Sequence, residues 1–206
     1  MRLIALYTTS ILCGFALMAM EILASRLVQP VFGSSVDVWA AIISVFILSL
    51  SVGYVIGGRI ADHVKTNLPL GWIIFTSGTL FILMTIYGLR LNEALPESVQ
   101  AARWGSLLSS LILFLPPSVL LGCISPMLVK LVFVDAQRVG RTTGTLYAVG
   151  SVGNVLGILV ANYVFLPRFP LNPTFIGLGT VLLVVGLAHI FFRMQATAPQ
   201  SSSEAA

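Results

Sequence analysis

VWAAIISVFILSLSVGYVIGG, residues 38–58, contains no charged side chain. At about 1.5 Å per residue, a helix of that length crosses the roughly 30 Å hydrocarbon core of a bilayer. Five more stretches qualify in the same way, at about 3–25, 69–89, 105–133, 143–166 and 173–194. Together they predict an all-α, polytopic membrane protein of about six transmembrane helices, with one domain over residues 1–194. Residues 195–206 are Gln, Ala, Thr, Pro, Ser and Glu, the composition of a disordered polar tail. The first run exceeds the 7–15 apolar residues of a secretory signal, so it is expected to be a retained helix.

Composition leads to the same place. Only 9% of residues are charged and 57% are hydrophobic, with a mean hydropathy of +1.01. A soluble domain carries about 25% charged residues, so this chain has too little polar surface to cover itself in water. The formal net charge of +4 does not indicate nucleic acid, because the basic residues sit singly at the ends of apolar runs. The lipid bilayer is the expected surroundings. Two cysteines, Cys13 and Cys123, and two histidines, His63 and His189, are too few and too scattered for a disulfide framework or a metal site.

The basic residues also suggest an orientation. With the N-terminus inside, Arg2, Arg59, Lys65, Lys130, Arg138, Arg141 and Arg193 are cytoplasmic, and Arg26, Arg90, Arg103 and Arg168 are outside. Positive-inside bias then predicts that both termini are cytoplasmic, and the inner (plasma) membrane is the expected location. Asp37 is placed to cap the second helix. In the loop 90–104, Leu91, Leu95 and Val99 recur every four residues, as in a short interfacial helix. Pro96 suits that helix only if it opens a second turn, and Trp104 is placed as an interfacial anchor.

Three helices carry special features. Gly153, Gly157 and Ala161 in the fifth, and Ser49, Gly53 and Gly57 in the second, repeat small residues at four-residue spacing. Such stripes let a neighbouring backbone approach closely. The fourth contains Pro116, Pro117 and Pro126, each of which removes an amide donor. This pattern fits either an interrupted helix at a binding site or a kink that shapes packing.

Few residues are candidates for chemistry. Glu21 is the one acid well inside an apolar run, with Arg26 five residues later. Two roles suit Glu21: counter-ion or proton site for a cationic solute, or structural partner of Arg26. Tyr147, Ser151 and Asn154 recur at helical spacing and suit either a ligand or a neighbouring helix. No hydrolase triad, zinc-protease helix or phosphate loop is present, so no catalytic residue, metal or cofactor is expected.

The segment 14–62, with MEILASRL, VFGSS and a long apolar helix ending GGRIAD, resembles the start of the membrane-embedded spermidine synthase-like family. LPPSVLLGCISPMLVKL at 115–131 is similar to that family's proline-interrupted helix, and VGRTTGTLYAVGSVGNVLG at 139–157 to its glycine-rich segment. The resemblance matches Glu21 and Arg26 to the family's Glu–Arg pair, and Gly33, Ser34 and Ser35 to its turn. Gly150 stands where the family has Asn, so no role passes to Asn154. The resemblance implies an MFS-like membrane region followed by a soluble aminopropyltransferase-like domain. Only a short tail follows the sixth run, so that domain's enzymatic residues are expected to have no counterparts here. Gly58, Ala61 and Asp62 also resemble the cytoplasmic loop motif of the wider major facilitator superfamily, with His63 in place of Arg. A six-helix chain then corresponds to one half of an MFS-type bundle.

Two functions fit these features. One is a membrane subunit or anchor acting with a partner, either a homo-oligomer or another membrane or soluble subunit. The other is a half-size transporter of a small organic cation such as a polyamine, working as a dimer. Sparse polar groups tip the sequence slightly toward the first.

Overall fold

Apolar runs this long have one stable form in hydrocarbon, the helix that satisfies its own backbone. The structure, a computed structural model, describes residues 2–64, 66–132 and 139–192. The described residues are almost wholly helical and include no strand. In chain order the elements are α1 (Arg2–Phe32), α2 (Val36–His63), α3 (Leu68–Ala94), the short α4 (Glu97–Gln100) and α5 (Gly105–Val132). These are followed by α6 (Val139–Val160), a π-helical turn (Ala161–Phe165), the short α7 (Leu166–Arg168) and α8 (Leu171–Phe191). Six spans are long and apolar enough to cross a membrane: α1, α2, α3, α5, the α6–α7 unit Val139–Arg168, and α8. The chain is a multi-pass, all-α membrane protein. Lys65, Arg138, Arg193 and the tail 195–206 lie outside the described residues.

Three helix pairs build the bundle, each closed by glycine. On α2, Gly53 and Gly57 meet α5 so closely that an added Cβ would fall 2.4 Å from the Val119 carbonyl oxygen and 2.5 Å from the Cys123 backbone. Phe46 stacks on Phe114 across the same seam, with centroids 5.8 Å apart. On α6, Gly153 and Gly157 press against Ile11 and Phe15 of α1, where a Cβ would lie 2.3 Å from each carbonyl oxygen. Ala161 is fully buried at the end of that seam. The third pair, α3 with α8, places Gly71 and Gly78 against Gly186 and Gly179, with Phe81 edge-on to Phe175. The glycines of this third seam are seven residues apart on each helix, and the four-residue spacing that marks the other two does not reveal it.

Several expectations need correction. The first helix does not stop near residue 25 but continues through Arg26 and Pro30 to Phe32. Asp37 is not the cap of α2: the Ser35 hydroxyl accepts from the Val38 N–H at 3.3 Å. Asp37 lies within the first turn, and Arg103 grips its carboxylate with three contacts of 3.1–3.2 Å. Instead of an interfacial helix over 90–104, α3 continues to Ala94, and Pro96 starts the single turn α4. Gly58 and Asp62 belong to the last turns of α2 and not to a loop. The fourth span is uninterrupted: Pro116, Pro117 and Pro126 all lie inside the continuous helix α5. The missing amides free the carbonyls of Ile112, Leu113 and Gly122, a loss a membrane helix tolerates where neighbours or the local backbone compensate.

The π-turn has an identifiable cause. Pro167 lacks an N–H and its ring collides with the carbonyl four residues back, that of Tyr163. The helix widens, so the Leu166 N–H reaches the Ala161 carbonyl five residues back. The Tyr163 carbonyl accepts instead from the Arg168 guanidinium at 3.2 Å.

Candidate functional site

The described spans are not covered equally. Of the most apolar window in each, 33–56% is buried for the other five but only 17% for Val139–Arg168. Along α6 itself, Leu146, Gly153 and Gly157 are the buried residues. One side of the bundle, with α6 at its edge, therefore faces outward with little protein over it.

That side contains a half-open cavity of about 170 Å³ between α1, α2, α5 and α6. Its polar lining comprises Ser10 of α1, Tyr54 of α2, Ser125 of α5, and Tyr147, Ser151 and Asn154 of α6. Helical register explains the convergence on α6. Residues 147, 151 and 154 are spaced by four and three, so they share one stripe. Gly14 makes room opposite them, since a Cβ there would sit 2.6 Å from the Asn154 side-chain oxygen. On α5, Ser125 precedes Pro126, which frees the Gly122 carbonyl one turn back. Among the described residues, none of these six side chains has a hydrogen-bond partner, and the lining has no charged group. Polar side chains within a membrane bundle normally find partners on neighbouring helices. Six together without one form the principal polar feature of the molecule.

The structure thus brings Tyr147, Ser151 and Asn154 into one site but leaves Glu21 and Arg26 outside it. Glu21 lies on the same face of α1 as Ser10, Gly14 and Leu17, one turn beyond Leu17 toward the Arg26 end of the bundle. It is half-buried and does not line the cavity. The pairing of Glu21 with Arg26 is not formed; among the described residues the ion pair is Arg103–Asp37 at 3.1 Å. Five residues at 3.6 per turn point two side chains about 140° apart, too far round the helix to meet. Arg26 instead lines a different cavity. Ser10, Tyr54 and Ser125 are absent from the residues singled out by sequence, because each comes from a different helix and only tertiary packing brings them to α6.

Two buried polar clamps also escape a reading of the sequence. At the Arg2 end, His189 of α8 contacts Thr9 of α1 through Nε2 at 2.8 Å and the Asn67 amide through Nδ1 at 3.1 Å. Thr9 already donates to the Ala5 carbonyl at 2.9 Å, so it accepts from Nε2–H, and Nδ1 accepts from Asn67. That chain of roles defines the tautomer of a neutral imidazole. The Asn67 amide nitrogen also reaches the carbonyls of His189 and Phe192, both at 3.0 Å. At the Arg26 end, Asn92 of α3 donates to the Leu27 carbonyl of α1 at 3.1 Å and accepts from Ser109 of α5.

Compared with protein-family models, curated proteins and solved structures, the chain matches none.

Proposed function

We propose that this chain is a membrane subunit forming one half of a polar path across the bilayer, completed by a second six-helix unit. The simplest second unit is another copy of the chain. The observation that carries the proposal is the group of six unpartnered polar side chains opening on the least-covered side of the bundle. A polar group that faces hydrocarbon without a hydrogen-bond partner costs roughly 1–3 kcal/mol, so such a surface is poorly suited to bare lipid tails. A facing unit covers it and keeps it polar.

The solute class we infer is a small organic cation such as a polyamine. The lining offers hydroxyls, a carboxamide and two tyrosine rings, with no basic residue among them. Aromatic faces attract cations within about 6 Å of the ring centroid. Glu21 supplies a counter-charge one turn along the same face of α1. The resemblance to the membrane region of spermidine synthase-like proteins, and to half of an MFS-type bundle, supports the same choice. The inner membrane with cytoplasmic termini remains our proposed location. Its charge bias rests on Lys65, Arg138 and Arg193, since the described basic residues divide four and four between the two ends.

Uptake of labelled spermidine into proteoliposomes tests the function. Wild type should exceed empty liposomes, and Asn154→Leu and Glu21→Gln should each reduce uptake at least tenfold. Uptake no greater than in empty liposomes, or equal in all three proteins, removes the cation path. Purification from native membranes in mild detergent identifies the second unit. A dimer supports a second copy, whereas a stoichiometric companion identifies a different membrane or soluble subunit.

A further inference from the structure

The Arg26 end of the bundle holds a second cavity of about 280 Å³, bounded by α1, the turn into α2, the start of α2 and the π-turn. It shares no lining residue with the first. Its polar lining is Ser25, whose hydroxyl donates to the Ile22 carbonyl at 2.8 Å, and four further residues. Arg26 brings a full positive charge, Gln29 and Asn162 bring carboxamides, and Ser34 brings a hydroxyl. None of these four side chains has a hydrogen-bond or ion-pair partner among the described residues. Among the described residues, no acid lines the cavity. The two acids nearest in sequence are otherwise placed: Glu21 points to another side of α1, and Asp37 is held by Arg103.

We propose that this cavity is a binding site for an oxyanion, a carboxylate or phosphate group. A guanidinium is a planar fork that matches the paired oxygens of both, and such charge-assisted bonds are about twice as strong as neutral ones. The carboxamides of Gln29 and Asn162 add N–H donors beside it, and Trp39 forms an apolar wall. Asn162 reaches the cavity from the π-turn, an irregularity that recurs at functional sites. At a membrane boundary the oxyanion has two sources, a dissolved solute or an anionic lipid headgroup. The chemistry is common to both. This proposal goes beyond the cation path and does not depend on it.

The test uses the full chain in nanodiscs of phosphatidylcholine alone, titrated with inorganic phosphate and with acetate. Binding is read by tryptophan fluorescence, with Trp39→Phe identifying the reporter. In parallel, retained phosphatidylglycerol is counted by native mass spectrometry after exchange from mixed discs. A dissolved-anion site gives a saturable response that weakens at least tenfold in Arg26→Gln and is only partly restored in Arg26→Lys. A headgroup site gives no response to free anions but retains phosphatidylglycerol in wild type and loses it in Arg26→Gln. The double variant Gln29→Leu/Asn162→Leu keeps the charge and removes the carboxamides. It should weaken whichever binding is seen by at least threefold. Anion and lipid binding unchanged in Arg26→Gln overturns the proposal. So does binding that depends on Arg26 but is unaffected by the double variant, because charge attraction alone then accounts for it. Arg26 is exposed and unpartnered, so Arg26→Gln should elute as wild type does. Spermidine uptake by the same variants separates the two proposals, since they use different residues.

Discussion

Gly57 and Gly58 are neighbours on α2, yet alanine at the two positions should shift stability in opposite directions. A Cβ at Gly57 would lie 2.5 Å from the Cys123 Cα and 2.5 Å from its carbonyl oxygen. Ordinary contact begins at 3.4 Å, so α2 and α5 must part by about 0.9 Å. The obstructing atoms are backbone, so no rotamer change relieves the clash. A radial gap of that size forfeits roughly a quarter to a half of each contact energy along the seam. Overpacking of this kind costs about 1–3 kcal/mol. At Gly58 the same methyl meets nothing within 4 Å. There the exchange only restricts the unfolded backbone and gains about 0.5–1 kcal/mol of helix preference. Unfolding by sodium dodecyl sulfate in mixed micelles, followed by far-ultraviolet circular dichroism, measures both. Gly57→Ala should unfold at lower detergent fraction than wild type and Gly58→Ala at equal or higher fraction. Equal shifts of the same sign would show that the α2–α5 contact is not as close as described.

Three further perturbations probe the polar contacts. Asn92→Leu leaves the Leu27 carbonyl and the Ser109 hydroxyl without their partner, so it should destabilise by about 1–3 kcal/mol in the same unfolding assay, and wild-type stability would refute the clamp. A double-mutant cycle of Thr9→Val and His189→Phe should give a coupling of about 0.6 kcal/mol, the average for interhelical hydrogen bonds in membranes, and zero coupling would mean the two do not bond. Asp37→Asn should change stability by no more than about 1 kcal/mol, since Arg103 and Asp37 are 86% and 52% exposed; a larger loss would mark the pair as more than a surface contact.

Fold and site were legible to different degrees, for physical reasons. Long apolar runs announce spanning helices because hydrocarbon admits almost nothing else, so six spans can be read directly from the sequence. Helix ends are harder. Polar residues such as Arg26 and Gln29 suggest a stop after residue 25, but at a membrane boundary a helix continues through them without penalty. Gly53, Gly57, Gly153 and Gly157 were readable as packing stripes from their spacing, whereas the partner helix of each was not. Tyr147, Ser151 and Asn154 share a helix, so their common face was visible in advance. Ser10, Tyr54 and Ser125 join them only through tertiary packing, and no local spacing encodes that. His189 looked like a scattered histidine because Thr9 and Asn67, its partners, are 180 and 122 residues away.

Disulfide cross-linking on the open side bears most directly on the claim that a second copy covers it. Val155 on α6 and Val184 on α8 are 55% and 61% exposed, and the native cysteines are buried. In native membranes under mild oxidation, Val155→Cys should form a dimer through α6 while Val184→Cys stays monomeric. Equal cross-linking of the two, or none at Val155→Cys, would contradict the account.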